Sequence, residues 1–293
     1  MTWTGMGGAL AWPRLVRRRS GPRVLGHDEL PAAMELAQRA GPQGVLAGAR
    51  MSETTSVWGE VWGFGEPGEL RSICWFGGTL IPVGVDSEDI PALVTRARGR
   101  GRGCASIVGD AQTVLELWRG LESYWPQART VRRDQPLLEI TGPPKVEPDR
   151  LVRRATPAEL PAVLPAAIAM FTEELGFSPL RDGPGYRHRV ADLLAHALTY
   201  VRFDEASPEP RVEFKADLGA AIGGNAQIHG VWVDPRHRGH HVARHGVAAV
   251  VADALERGFT SISLYVNSHN TAALAAYQAV GFRQIGTWAT VMF

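Results

Sequence analysis

An apolar, β-branched run through Ile228, Val231 and Val233 stops at Asp234-Pro235. The chain then crosses a basic turn containing Gly239 and resumes at helical spacing through Val242, Val247, Val250, Val251 and Leu255. A pleated run giving way to a 3.6-residue period predicts strand, short turn and helix over 226–255. Ser261 to Val266 then alternates as a strand does, and Asn267-Ser268-His269-Asn270 has the composition of a turn or helix N-cap. A second helix runs through Ala272, Leu274, Tyr277 and Val280 and stops at Gly281. Phe282 opens a final strand region that reaches Phe293.

Upstream the same two periods alternate. They predict a helix around 30–40, strands near 45–51 and 57–63, and a longer apolar strand run over 71–83. Asp86 or Ser87 caps a helix to Arg98, 105–108 reads as a strand, Asp110 caps a helix through Leu121, and 131–140 has strand character. The stretch 141–148, with Pro143, Pro144 and Pro148, suits neither helix nor central strand and reads as a linker. Beyond it, Thr156, Pro157 and Glu159 form the N-cap, N1 proline and capping-box acid of a helix to about Leu175. A helix over 186–196 follows, then paired strands at 199–203 and 211–216. Asp217 marks the end of the second strand, and the glycine- and alanine-rich 219–224 leads out towards the central strand. The division is a leader (1–21), a first unit (22–141), a linker (142–150) and a second unit (151–293).

Composition narrows the class. The 293 residues suffice for two units, each with its own core, and 45% hydrophobic with 21% charged residues describes an ordinary globular protein. A net charge of +1 removes the electrostatic basis for general nucleic-acid binding. No apolar run approaches the roughly 20 residues that span a bilayer. The first residues lack the charged and apolar regions of a signal peptide, and Arg14, Arg17, Arg18 and Arg19 read as a solvated basic tail. Cys74 and Cys104 lie in or beside apolar strand-like runs, which favours buried free thiols in a reducing compartment over a disulfide. The expectation is a cytoplasmic monomer or homodimer with neither nucleic-acid nor membrane partner.

The strand–turn–helix corner carries the candidate chemistry. The first N–H groups of a helix have no intrahelical acceptor, and the dipole places partial positive charge there. Arg236, Arg238 and Arg244 add full charges, so a phosphate group suits this corner. His237, His240, His241 and His245 include positions four apart on one helix face. No cysteine is near and Asp234 is the only close carboxylate, so no metal is expected.

V-D-P-R-H-R-G-H-H-V-A followed by L-Y-V-N-S-H-N-T-A-A-L-A-A-Y-Q-A-V-G-F resembles the GCN5-related N-acetyltransferase (GNAT) superfamily, in order and spacing, from about Gly224 to the C-terminus. The whole is similar to actinobacterial two-domain proteins in which a degenerate domain precedes a GNAT domain. The resemblance implies an α/β fold of tandem GNAT-like domains, each a mostly antiparallel central sheet flanked by helices, and acetyl-CoA as cosubstrate without a metal. It places the pyrophosphate on Arg238, Gly239, His240 and His241, with Val242 and Ala243 opening the helix. His241 departs from the family's usual glycine or alanine. A splayed strand at Val231-Trp232-Val233 would offer its amides to the thioester and pantetheine, Asn270 would hydrogen-bond the cofactor arm, and Tyr277 holds the general-acid position. For the base, His229 on the central strand and Glu173 and Glu174 near a helix end remain open.

The run Arg98 to Gly103 spells the phosphate turn well but leaves a helix instead of entering one, where the dipole repels anions. With no arginine over 82–87, the first unit is expected to hold no cofactor. The resulting expectation is an N-acetyltransferase moving an acetyl group to a primary amine, of a small molecule or a peptide α-amine, by direct attack in a ternary complex. The alternative is a non-catalytic acyl-CoA-binding or regulatory protein.

Overall fold

A computed structural model describes residues 21–53, 59–181 and 184–293. The basic leader over 1–20 and the first residues of the strand expected at 57–63 lie outside the described residues. The first half contains β1 (Arg23–Val24), α1 (Leu30–Arg39), α2 (Val45–Ser52), β2 (Glu60–Phe64), β3 (Ser72–Phe76), β4 (Thr79–Val83), α3 (Ile90–Arg100), β5 (Ser106–Asp110), α4 (Ala111–Leu121) and β6 (Thr130–Ile140). The second contains β7 (Arg153–Arg154), α5 (Leu160–Leu175), α6 (Gly185–Ala195), β8 (Thr199–Phe203), β9 (Val212–Ile222), β10 (Asn225–Val233), α7 (Val242–Glu256), β11 (Ser261–Tyr265), α8 (Thr271–Val280) and β12 (Arg283–Met292). Both halves run strand, two helices, three strands, helix, strand, helix, strand.

All twelve strands join one sheet in the order β1-β2-β3-β4-β5-β12-β6-β11-β10-β9-β8-β7. Neighbours are antiparallel except for β4 with β5 and β10 with β11. The final strand of each half lies in the other half's sheet: β12 pairs with β5, β6 pairs with β11, and β6 and β12 pair with each other at the centre. Length alone suggested two separate cores, but one buried cluster joins Ile73, Ile81 and Val108 with Leu137, Ala220, Ile222 and Trp288. A pleated sheet buries a face continuously across its hydrogen-bonded neighbours, so exchanging strands links the cores of the two halves.

Local signals account for many boundaries. Asp110 accepts a hydrogen bond from the Thr113 N–H (3.1 Å) to start α4, Asn270 accepts one from Ala273 N–H (3.1 Å) to start α8, and Gly281 ends α8 at φ 117°. Two expectations fail. Residues 45–52 are helical where a strand was expected, because a short apolar run carries no decisive period. Its Gly48 packs so closely on Ile222 of β9 that a β-carbon there would meet Ile222 Cδ1 at 2.3 Å. Strand β9 also continues through Asp217 to Ile222, so the turn is Gly223-Gly224; the small residues of 218–222 pair along β10.

Cys74 and Cys104 are free and buried, and burial raises both thiols, Cys104 to about 11. No helix among the described residues is long and apolar enough to cross a membrane.

Candidate active site

Strand β10 pairs with β11 only over Asn225↔Ser261 to Gln227↔Ser263, although β10 runs on to Val233 and β11 to Tyr265. On its other side β10 loses register with β9 between His229 and Trp232, where Gly230 adopts φ 57°. That bulge turns β10 away from its parallel neighbour and opens a gap. A cavity of about 1120 Å³ fills the gap and reaches both Val231-Trp232-Val233 and Tyr277.

At one mouth stands the turn between β10 and α7. Arg236 is committed to Asp234, donating from Nε (3.0 Å) and from its terminal nitrogen (2.8 Å), which holds that carboxyl down at about 2. Arg238 donates to the Val233 carbonyl (3.0 Å) and to Glu173 (2.6 Å). Among the described residues, the N–H groups of 239–243 have no acceptor, and no side chain caps α7. Arg244 Nε is buried without a partner, and the Cα of Gly239 faces open space. Unmet donors, spare positive charge and room are what a diphosphate requires, so these residues fit the phosphate end of acetyl-CoA.

His241 sits at φ 65°, the left-handed region natural to glycine, and is exposed. A non-glycine residue there stores roughly 1 kcal/mol. His241→Gly is therefore expected to raise the melting temperature and to leave the affinity of this corner for a diphosphate-bearing ligand unchanged or higher. Weaker binding in calorimetry would show that the imidazole itself holds the ligand.

Of the proton-handling candidates, Tyr277 is buried beside the cavity on α8, and its hydroxyl has no hydrogen-bond partner among the described residues. Burial, with a smaller push from Glu174, raises its phenol above the ordinary value. His229 lines the cavity, but its Nε2 lies 2.7 Å from Gln227 Oε1, an acceptor, so Nε2 carries the proton. Its Nδ1 packs on Gly219, where a β-carbon would stand 2.1 Å away. Burial, aided by Arg50, Arg189 and Lys215, lowers the imidazole to about 3. Glu173 accepts from Trp232 Nε1 (3.1 Å) as well as from Arg238, which ties the end of α5 to β10 and the turn. Glu174 is bound by Arg132 of β6 (2.8 Å). Asn270 spends its side-chain oxygen on the α8 cap and keeps its amide N–H₂ at the cavity wall. Two histidines of this stretch find other partners: His237 faces Asp204 and Glu213 at 3.5 and 3.3 Å, and His245 Nδ1 meets the Glu147 carbonyl at 2.7 Å.

Sequence reasoning missed a buried ion pair. Lys215 and Asp217 on β9 contact each other beneath the bulge, and Thr199 donates to the second Asp217 oxygen (2.8 Å). A methyl group on Gly230 would stand 3.2 Å from Asp217 Oδ2 and 3.5 Å from Lys215 Nζ. A charged pair almost wholly withdrawn from water is costly, and its Asp217 lines the cavity, which makes that carboxylate a functional candidate. Period-two spacing of a Lys and an Asp in an apolar strand was the available signal. It was hidden by the expectation that the strand ended at Asp217. Arg50 of α2, Arg132 of β6 and Arg189 of α6 also line this cavity, brought together from three elements.

The first half repeats the splay without the donors. β4 pairs with β5 only through Thr79↔Ser106 and Leu80↔Ile107, but the following turn carries Asp86, Glu88 and Asp89. The arginine-glycine run has other work: Arg98 stacks on Tyr124 (3.4 Å), Arg100 pairs with Glu60 (2.9 Å), and Arg102 donates to the Cys104 carbonyl (2.8 Å). Aromatic and acidic neighbours hold these exposed side chains along the protein surface.

Residues 197–282 match the acetyltransferase (GNAT) family, and residues 59–163 match a domain of unknown function, DUF4081. No curated protein matches the sequence. Among solved structures, a GNAT-family acetyltransferase from Colwellia psychrerythraea is 12% identical, with a TM-score of 0.57 over 94% of this chain and 100% of its own. A GCN5-related N-acetyltransferase from Sphaerobacter thermophilus is 16% identical (TM-score 0.55, 92% and 94% covered). A tandem GNAT protein from the clavulanic acid biosynthesis pathway is 14% identical (TM-score 0.54, 93% and 97% covered). At such identities the likeness establishes the fold alone, that of GNAT acetyltransferases.

Proposed function

We propose that this chain, whose second half carries an acetyltransferase (GNAT) family domain, is an acetyl-CoA-dependent N-acetyltransferase that transfers acetyl to a primary amine by direct attack in a ternary complex. The observation that carries the reading is that the strand gap, the unpaired N–H groups of 239–243 and Tyr277 meet in one cavity. Bound acetyl-CoA supplies the thioester. The turn amides, Arg238 and Arg244 hold its diphosphate, and the amide of Asn270 steadies its arm. An N–H of 231–233 faces the carbonyl oxygen as negative charge develops there, an interaction whose loss typically costs about 10²–10³ in rate.

The amine must reach the carbonyl neutral. Deprotonating a lysine-like amine at pH 7 costs about 4.6 kcal/mol, an α-amine about 1 kcal/mol. Once the C–N bond forms, the nitrogen becomes strongly acidic, and Asp217, the carboxylate that reaches the bulge, takes its proton with Lys215 balancing the charge. His229, with Nε2 held by Gln227 and Nδ1 packed against Gly219, serves in this reading as a neutral wall, and Glu173 and Glu174 act as ties. The Tyr277 hydroxyl donates a hydrogen bond to the departing sulfur. The first half, with an acidic turn where phosphate would sit, holds no cofactor and shapes the acceptor chamber. The reading also places the enzyme in the cytoplasm, where its two buried thiols stay reduced.

Arg238→Ala tests the phosphate assignment. The Arg238–Glu173 pair is about half exposed and so worth little, and it yields to a diphosphate. Loss of a charge-assisted phosphate contact is expected to raise the acetyl-CoA dissociation constant about 10- to 100-fold. Unchanged affinity in titration calorimetry would refute it. A non-catalytic acyl-CoA binder would instead bind normally and turn over no amine.

A further inference from the structure

The two ends of the cavity differ in kind. The turn end offers N–H groups that have no acceptor among the described residues. At the other end, beneath the bulge of β10, the charged side chains already hold one another. Lys215 is met by Asp217, Arg132 by Glu174 (2.8 Å), Arg50 by Glu53 (2.6 Å), and Arg189 by Glu53 (3.4 Å) and the Gly219 carbonyl (3.1 Å). Beside these pairs stands an apolar wall: Leu46 of α2, Met170 and Phe171 of α5, and Tyr186, Val190 and Leu193 of α6 line the same cavity. Met170, Tyr186 and Val190 belong to one packed cluster with Trp232 of β10. The Met170 methyl also lies beside the carboxylate that handles the amine. A methyl group on Gly230 would stand 3.0 Å from Met170 Cε and 3.2 Å from Asp217 Oδ2. Phe171 packs edge-on against Tyr186, with centroids 5.1 Å apart. The Tyr186 hydroxyl is spent on the Ala167 carbonyl (2.9 Å), and burial, then the charges of Asp217 and Glu174, raises its phenol above the ordinary value. Its ring therefore acts as a neutral surface.

We infer that the acceptor is an amine bearing an apolar side chain, which packs against Met170, Phe171 and Tyr186 while its nitrogen lies at Asp217. This rests on the acetyltransferase reading above. Removing such a side chain from water is favourable roughly in proportion to its area. A hydroxyl or a second ammonium carried to the same wall loses its hydration and finds the charged groups already engaged. An alkylamine, an arylalkylamine or the amide of a hydrophobic amino acid meets the requirement; a polyamine or an amino sugar does not. Because Leu46 lies on α2, the first half supplies part of the wall that selects the acceptor.

The test uses the full-length protein, acetyl-CoA and the amides of glycine, serine, lysine, leucine, methionine and phenylalanine, which share an α-amine and differ in the side chain. Spermidine and glucosamine are added as polar amines. The best of the three apolar amides should be acetylated with kcat/KM about 10- to 100-fold above glycinamide, the range usual for an apolar group recognised by an apolar pocket. Serinamide, lysinamide, spermidine and glucosamine should stand at or below glycinamide. Met170→Ser should narrow the ratio of leucinamide to glycinamide about 3- to 10-fold through KM, and Met170→Leu, which keeps the wall apolar, should retain it. Met170 is half-buried, and melting temperatures check that both variants fold. A flat series, a preference for the polar amines, or an unchanged ratio in Met170→Ser would overturn the apolar acceptor wall while leaving acetyl transfer standing. Acetyl-CoA bound with no amine of any kind turned over would remove the transferase reading and this inference with it.

Discussion

Tyr277→Phe lowers kcat about 100-fold while acetyl-CoA affinity stays as in wild type; this is the expected result of steady-state kinetics alongside titration calorimetry. The magnitude is the lower end of what positioned acids and bases contribute. Full proton transfer from a phenol of ordinary pKa about 10 to a thiolate of about 8.5 is uphill by about 2 kcal/mol, and burial raises this phenol further. Its contribution is therefore a hydrogen bond that strengthens as charge gathers on sulfur, confined to the transition state. Phenylalanine keeps the ring that packs among the α7 and α8 side chains and against Phe282, with centroids 6.1 Å apart, so the fold is preserved. Since the folded-state pKa is raised, the hydroxyl stays protonated throughout the neutral and mildly alkaline range. Tyr277 then gives no alkaline limb to kcat below about pH 10. Equal turnover by both proteins, or a limb near pH 8 that vanishes in the variant, would exclude this role.

Trp288→Ala is expected to destabilise the whole chain by about 3–5 kcal/mol, the usual range for a buried Trp truncated to alanine. Trp288 is fully buried on β12, donates from Nε1 to Gln43 Oε1 (2.7 Å) and packs on Tyr265 with centroids 4.8 Å apart. Strand β12 is hydrogen-bonded to β5 of the first half and to β6, which itself crosses into the second. The loss is thus shared by both cores, and urea unfolding followed by circular dichroism and tryptophan fluorescence should show a single transition moved to lower denaturant. Two separated transitions, only one of them shifted, would mean that the halves fold independently despite the exchanged strands.

Much of the second half was legible in its residues. A pleated run broken by Asp234-Pro235 and followed by a 3.6-residue period has few alternative readings, and Asn270 and Gly281 bracket α8 with cap chemistry. The failures share one cause. Val45 to Ser52 is too short for its period to decide, and contact with Ile222, far away in the chain, settles it as a helix. Ending β9 at Asp217 assumed that a carboxylate leaves a sheet, whereas Lys215 neutralises it from two residues away on the same face. For His229, prominent by its place on the central strand, only the tertiary contacts place Nε2 against Gln227 and Nδ1 against Gly219.

By itself the sequence determined the local alphabet: which segments pleat, which coil, where helices start and stop, and that a basic, donor-rich corner follows β10. Those features depend on neighbours within about four residues, and such interactions are written in spacing. The tertiary structure alone decided the exchange of β6 and β12, the splay of β10 from β11, and the meeting of Arg50, Arg189, Asp217 and Tyr277 around one cavity. These depend on groups up to more than two hundred residues apart, whose union is set by which faces bury best against each other, and no short-range pattern encodes that choice.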